Sequence, residues 1–136
     1  VTPNMLMSKA VRAVASARLL LDAGDVDGAC NRAYYAMFDA AKAALIKLMP
    51  GIDPALAKTH SGLISAFSLN LVKTGKLPME MGKALNRAHE IRQIADYTGD
   101  EVGIEQARSL IEQANLFVET IQARIQPAPS DGMKQI

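Results

Sequence analysis

Apolar residues recur along this chain at steps of three and four, the spacing that puts side chains on one face of an α-helix. Between Val26 and Met49 the stripe is Val26, Cys30, Ala33, Met37, Ala40, Ala44 and Leu48, and Arg32, Tyr35, Asp39 and Lys42 form a separate polar stripe. A helix before it, starting after Thr2 or Asn4 and ending near Ala23, turns Met7, Ala10, Val11, Val14, Ala17 and Leu21 inward. Asp22-Ala23-Gly24-Asp25 reads as a glycine stop followed by an N-cap, and so short a link makes the first two helices an antiparallel hairpin. Pro50-Gly51 ends the second helix, and Asp53-Pro54 opens a short turn. Thr59 or Ser61 caps a third helix that runs to about Lys73, with Leu56, Leu63, Ile64, Phe67 and Leu71 apolar and His60 on or beside that face. After a break at residues 74–78, a fourth helix runs from Met79 to about Tyr97 on Met81, Leu85, Ala88 and Ala95.

Residues 98–101 form a turn. The fifth helix, Val102 to Ile125, carries the strictest pattern: Ile104, Ala107, Ile111, Ala114, Val118, Ile121 and Ile125. Such a seam serves packing within a bundle or self-association. The expected organisation is one helical domain over 1–125, then a flexible proline-containing tail over 126–136. At 136 residues the chain is long enough for one core that buries roughly two-thirds of the unfolded surface. With 49% apolar residues and almost no β-type alternation, the expected fold is all-α, an antiparallel up-and-down bundle of four long helices plus one shorter helix.

Charge and composition narrow the chemistry. Fifteen basic and 14 acidic side chains leave a net charge of +1, so any contact with RNA must rest on a local patch. One cysteine, Cys30, and two histidines form neither an intramolecular disulfide nor a common structural zinc site, and no metal or cofactor is expected. No apolar run approaches the roughly 20 residues of a membrane span, and the N-terminus lacks the layout of a secretory signal. A cytoplasmic protein without a membrane partner is expected. Glycine-rich phosphate loops, paired catalytic carboxylates and serine triads are absent from the sequence.

The one charge on an apolar stripe is Arg92, where the fourth helix should continue inward. Asp96, four residues on, is its natural helical partner. Arg92 reads either as a phosphate ligand, because guanidinium presents a planar fork of donors, or as half of a structural ion pair. His60 reads either as a general acid or base completing a site with Arg92 or as a structural group, and His89 falls on a polar flank. Arg32, Tyr35 and Asp39 read either as a ligand-binding set, with Tyr35 stacking on a base, or as a polar network between the second and fourth helices. In that network Asp96 would serve Arg32, and a lysine would serve Asp39.

Three motifs in order, residues 31–38 (Asn-Arg-Ala-Tyr-Tyr-Ala-Met-Phe), 58–62 (Lys-Thr-His-Ser-Gly) and 92–97 (Arg-Gln-Ile-Ala-Asp-Tyr), resemble a small prokaryotic HEPN domain over roughly residues 5 to 125. The resemblance implies a helical bundle, commonly a homodimer, often encoded beside a minimal nucleotidyltransferase in toxin and antitoxin pairs. Many such proteins are metal-independent ribonucleases with an arginine, four to six residues and a histidine, yet no arginine here has a histidine at that distance. The resemblance also implies that Tyr97 accepts AMP from the partner enzyme, the alternative being a ring packed against the bundle with its hydroxyl in water. Three readings follow: a module that binds a nucleotide, RNA or the nucleotidyltransferase; a metal-independent endoribonuclease toxin; and a bundle that only dimerises.

Overall fold

The computed structural model describes residues 1–98 and 101–125; the tail expected over 126–136 and the centre of the turn expected at 98–101 lie outside the described residues. Helix α1 spans Pro3–Asp22 and opens as its sequence requires: the Thr2 side chain accepts a hydrogen bond from the Met5 amide at 3.1 Å, and Pro3 occupies the first turn. Gly24, at φ +89°, reverses the chain, and the Asp25 carboxylate caps α2 (Val26–Leu48) by accepting from the Gly28 amide at 2.8 Å.

α2 is the centre of the bundle and packs against each of the other helices. Seven fully buried alanines, among them Ala33, Ala36, Ala40 and Ala44, let those neighbours approach closely. Its buried surface is therefore broader than the single expected stripe and includes Tyr34.

On α1 the buried face is Leu6, Met7, Ala10, Ala13, Val14 and Ala17. Val11, expected inside, is 46% exposed, because it lies about 100° round the helix from Ala10, at the rim of the stripe. A 3-10 turn at Pro54–Ala57 precedes α3 (His60–Phe67) and leaves Leu56 outside the core, so it is no part of the third helix's apolar face. α3 continues through a π-helical turn at Ser68–Val72. α4 spans Met79–Gln93 and passes into a second π-helical turn at Ile94–Thr98.

α5 (Ile104–Ile125) buries Ala107, Ile111, Ala114, Val118, Ile121 and Ile125 and packs against α2 and α1. Its seam is thus internal to the chain; only Ile104 at its start is exposed. The fold is all-α, with four long helices and one shorter one, and no described helix is long and apolar enough to cross a membrane.

Candidate functional site

Three helices converge on one polar cluster. α2 presents Asn31, Tyr34, Tyr35 and Phe38 at helical spacing. α3 contributes its first residue, His60, whose position is fixed by the turn before it. Thr59 caps the helix by accepting from the Gly62 amide at 2.9 Å. A Cβ on Gly62 would sit 2.6 Å from the Leu56 carbonyl oxygen, so only glycine lets the 3-10 turn fold this close to the helix start.

α4 supplies His89 and Arg92, three apart on one face, and the π-helical turn supplies Asp96 and Tyr97. An α-helix brings residue i+4 beneath residue i; a π-turn, bonded from i to i+5, brings i+5 there too. Arg92 accordingly reaches both: its Nε lies 2.9 Å from Asp96 Oδ2, and one terminal nitrogen donates to the Tyr97 hydroxyl at 3.3 Å.

The same nitrogen donates to the Tyr35 hydroxyl at 3.2 Å, and Asn31 donates to Asp96 Oδ2 at 3.1 Å. The Arg92–Asp96 contact is ionic, since Nε makes no directed hydrogen bond. Three phenol rings surround the guanidinium, whose carbon stands 5.7, 5.3 and 5.3 Å from the centroids of Tyr34, Tyr35 and Tyr97. That is cation–π range, which stabilises a largely covered charge.

Beside the arginine, the His60 and His89 rings stack at 5.8 Å with 13° between their planes. Tyr34 Oη lies 2.7 Å from His60 Nδ1, and Tyr35 Oη lies 3.5 Å from His60 Nε2. Burial raises the Tyr34 hydroxyl well above its ordinary value, so the phenol keeps its proton beside Nδ1.

Both imidazoles are held below 6.5, first by burial and then by the Arg92 charge, and they are neutral at pH 7. His89 Nδ1 is buried without a hydrogen-bond partner among the described residues. Among the described residues no three His, Cys, Asp or Glu side chains group as metal ligands would.

Of the residues singled out from sequence, Arg92, His60, Asp96, Tyr35 and Tyr97 come together here. Arg32 touches only the edge, its guanidinium 6.0 Å from the Tyr35 ring. Asp39 stands apart: its carboxylate is buried, its pKa is raised by that burial, and the cations acting on it are Lys9, Arg32 and Lys42. The polar link between α2 and α4 therefore runs through Asn31 and Tyr35, and Asp96 serves Asn31 and Arg92 rather than Arg32.

His89, expected on a polar flank, stacks on His60 instead. Sequence reasoning also missed Asn31 and Tyr34. The available signal was spacing, since His89 shares a helical face with Arg92, and Asn31 and Tyr34 share one with Tyr35 and Phe38.

An all-α bundle with an arginine, tyrosine and histidine cluster between its second, third and fourth helices defines the class. A family model of the HEPN domain matches residues 4–124. The chain belongs to the HEPN family. It is 36% identical over 116 residues to a UPF0332 protein of Gloeobacter violaceus, covering 84% of this chain and 88% of that one. It is 38% identical over 112 residues to a UPF0332 protein of Thermotoga maritima, covering 81% and 80%. A Methanocaldococcus jannaschii protein named "Putative toxin MJ0605" is 35% identical over 108 residues, 79% of this chain and 77% of that one.

Proposed function

We propose that this chain is the HEPN component of a toxin and antitoxin pair, a cytoplasmic homodimer whose Arg92 cluster engages a nucleotide, either within RNA or presented by a partner minimal nucleotidyltransferase. The supporting observation is the Arg92 guanidinium, covered and ion-paired yet ringed by three phenols with two neutral imidazoles beside it. A guanidinium fork suits phosphate, and aromatic rings offer a base its stacking surface. The toxin reading is supported by the name of the Methanocaldococcus relative.

The test is fluorescence anisotropy with labelled AMP and a labelled single-stranded RNA. Arg92→Ala abolishes binding while circular dichroism retains the native helicity; Arg92→Lys, which keeps the charge and loses the fork, binds at least several-fold more weakly. Wild-type binding by a folded Arg92→Lys protein overturns the reading.

A second reading, metal-independent RNA cleavage, is favoured by the stacked imidazoles. One of them takes the proton of a ribose 2′-hydroxyl as that oxygen attacks phosphorus. The imidazolium so formed returns the proton to the departing 5′-oxygen, with Arg92 stabilising the charge on the phosphoryl oxygens. Incubation with RNA in EDTA decides it: cleavage by the wild type that Arg92→Ala loses establishes the enzyme, and intact RNA throughout leaves the binding module.

Tyr97 fits the role of a nucleotidyl acceptor. Its residue is 71% exposed, and Arg92 donates to its hydroxyl. The phenolic oxygen would attack the α-phosphorus of ATP on the partner enzyme, lose its proton and release pyrophosphate. The adenylate would then cover the mouth of the cluster with charge and bulk.

A further inference from the structure

A groove of about 580 Å³ runs between α1 and α2, lined by Lys9, Arg12, Ser16 and Arg32 with Ala13, Leu19 and Leu20, and no acidic side chain lines it. On a chain whose net charge is +1, this is a local concentration of positive charge. Lys9, Arg12 and Ser16 follow one another along a face of α1 over roughly 10 Å. The described ion pairs are Arg92–Asp96 and Arg108–Glu105, so among the described residues none of the groove's three cations is ion-paired with an acid. Lys9 and Arg32 act electrostatically on the buried Asp39.

Arg32 joins this groove to the Arg92 cluster. Its guanidinium is 6.0 Å from the ring of Tyr35, whose hydroxyl accepts from Arg92 at 3.2 Å. A positive track leading onto aromatic rings is the arrangement that holds single-stranded nucleic acid, phosphates along the track and bases on the rings.

We infer that the groove lined by Lys9, Arg12 and Arg32 carries the phosphate backbone of a single-stranded RNA whose next nucleotide occupies the Arg92 cluster, so that the ligand of this site is an oligonucleotide and not a mononucleotide alone. The inference rests on the Arg92 cluster binding a nucleotide. It adds a second contact surface beyond Arg32 and ranks ligands by length: several phosphates engage the groove, a mononucleotide none.

The test compares labelled AMP with a labelled single-stranded RNA of about ten nucleotides, over a series of salt concentrations, for the wild type, Lys9→Ala/Arg12→Ala, Arg12→Glu and Arg92→Lys. Lys9 and Arg12 are exposed, so their loss leaves the buried face of α1 intact, and Arg12→Glu also leaves Lys9 beside Asp39. The double variant binds the RNA roughly three- to tenfold more weakly and lowers the slope of log affinity against log salt by about 1.4, at ~0.7 for each phosphate contact on a single strand. Arg12→Glu weakens RNA binding further than a neutral substitution does, and AMP binding stays at the wild-type level in both.

Wild-type RNA affinity and salt slope in the double variant, with both ligands weakened in Arg92→Lys, overturn the groove and leave the Arg92 reading standing. Both ligands unaffected by Arg92→Lys overturn that reading and the extension with it. Displacement of the RNA by polyglutamate at equal charge concentration also overturns the inference, in favour of an acidic protein partner.

Discussion

The hydroxyl of Tyr34, a residue with no exposed surface, lies 2.7 Å from Nδ1 of His60 and ties the middle of α2 to the first residue of α3. Tyr34→Phe removes the hydroxyl and keeps the ring. It costs about 1–2 kcal/mol of stability, the penalty of a partly buried ring nitrogen left without its partner. Tyr35→Phe removes an acceptor of the Arg92 guanidinium as well as the 3.5 Å contact to His60, so it costs at least as much. Denaturant unfolding of both variants measures the difference.

The depressed imidazoles make stability depend on pH. In the unfolded chain both histidines take up a proton near 6.5; in the folded protein each resists protonation to a lower pH. Below 6.5 the unfolded state therefore binds more protons, and stability falls as pH falls through that window until the folded values are passed. Asp39 contributes the opposite slope: its pKa is raised, so its contribution is complete below 3.8 and is lost as pH rises through the folded value. The histidine part is isolated by His89→Gln, whose melting temperature declines less steeply than the wild type's between about pH 6.5 and 5. Equal slopes in the two proteins would show that His89 is not held neutral.

The seam of α5 is core. Ile111→Ala and Val118→Ala each remove buried methyl groups, and the first costs about 2–5 kcal/mol, the second less. Because the seam packs on α2 and α1 of the same chain, both variants melt earlier yet sediment as the wild type does. Sedimentation as a smaller species would place a second copy on this face.

How much of this could be read from the residues alone depends on the range of the interaction. Thr2, Asp25, Asp53 and Thr59 each cap the element they precede, a local event that sequence displays. The Arg92–Asp96 pair is equally local, one charge interrupting a stripe with its counterion four residues on. The i+5 reach from Arg92 to Tyr97 depends on a π-turn that no helical periodicity announces. The stacking of His60 on His89 joins residues from different helices and is purely tertiary. Arg32 and Asp39 show the converse error: spacing placed them correctly on one stripe with Tyr35, yet it could not say that α1, carrying Lys9, lies over that stripe.

Tyr97 provides a test of the partner. Co-expression with the minimal nucleotidyltransferase expected beside it yields a protein heavier by whole adenylate groups, and Tyr97→Phe remains at its unmodified mass. That substitution also removes an acceptor of the Arg92 guanidinium and costs about 1 kcal/mol, with the ring left in place. Adenylation persisting in Tyr97→Phe would move the acceptor elsewhere.

The most direct measurement follows the His60 and His89 ring protons by NMR while a short single-stranded RNA is titrated into the protein. A ligand that docks on Arg92 must approach both stacked rings, so both sets of resonances shift together and saturate with the binding isotherm, and in Arg92→Lys both shift less at the same RNA concentrations. RNA that binds while both imidazoles keep their free-state positions would contradict the account, because the ligand would then be held away from the guanidinium.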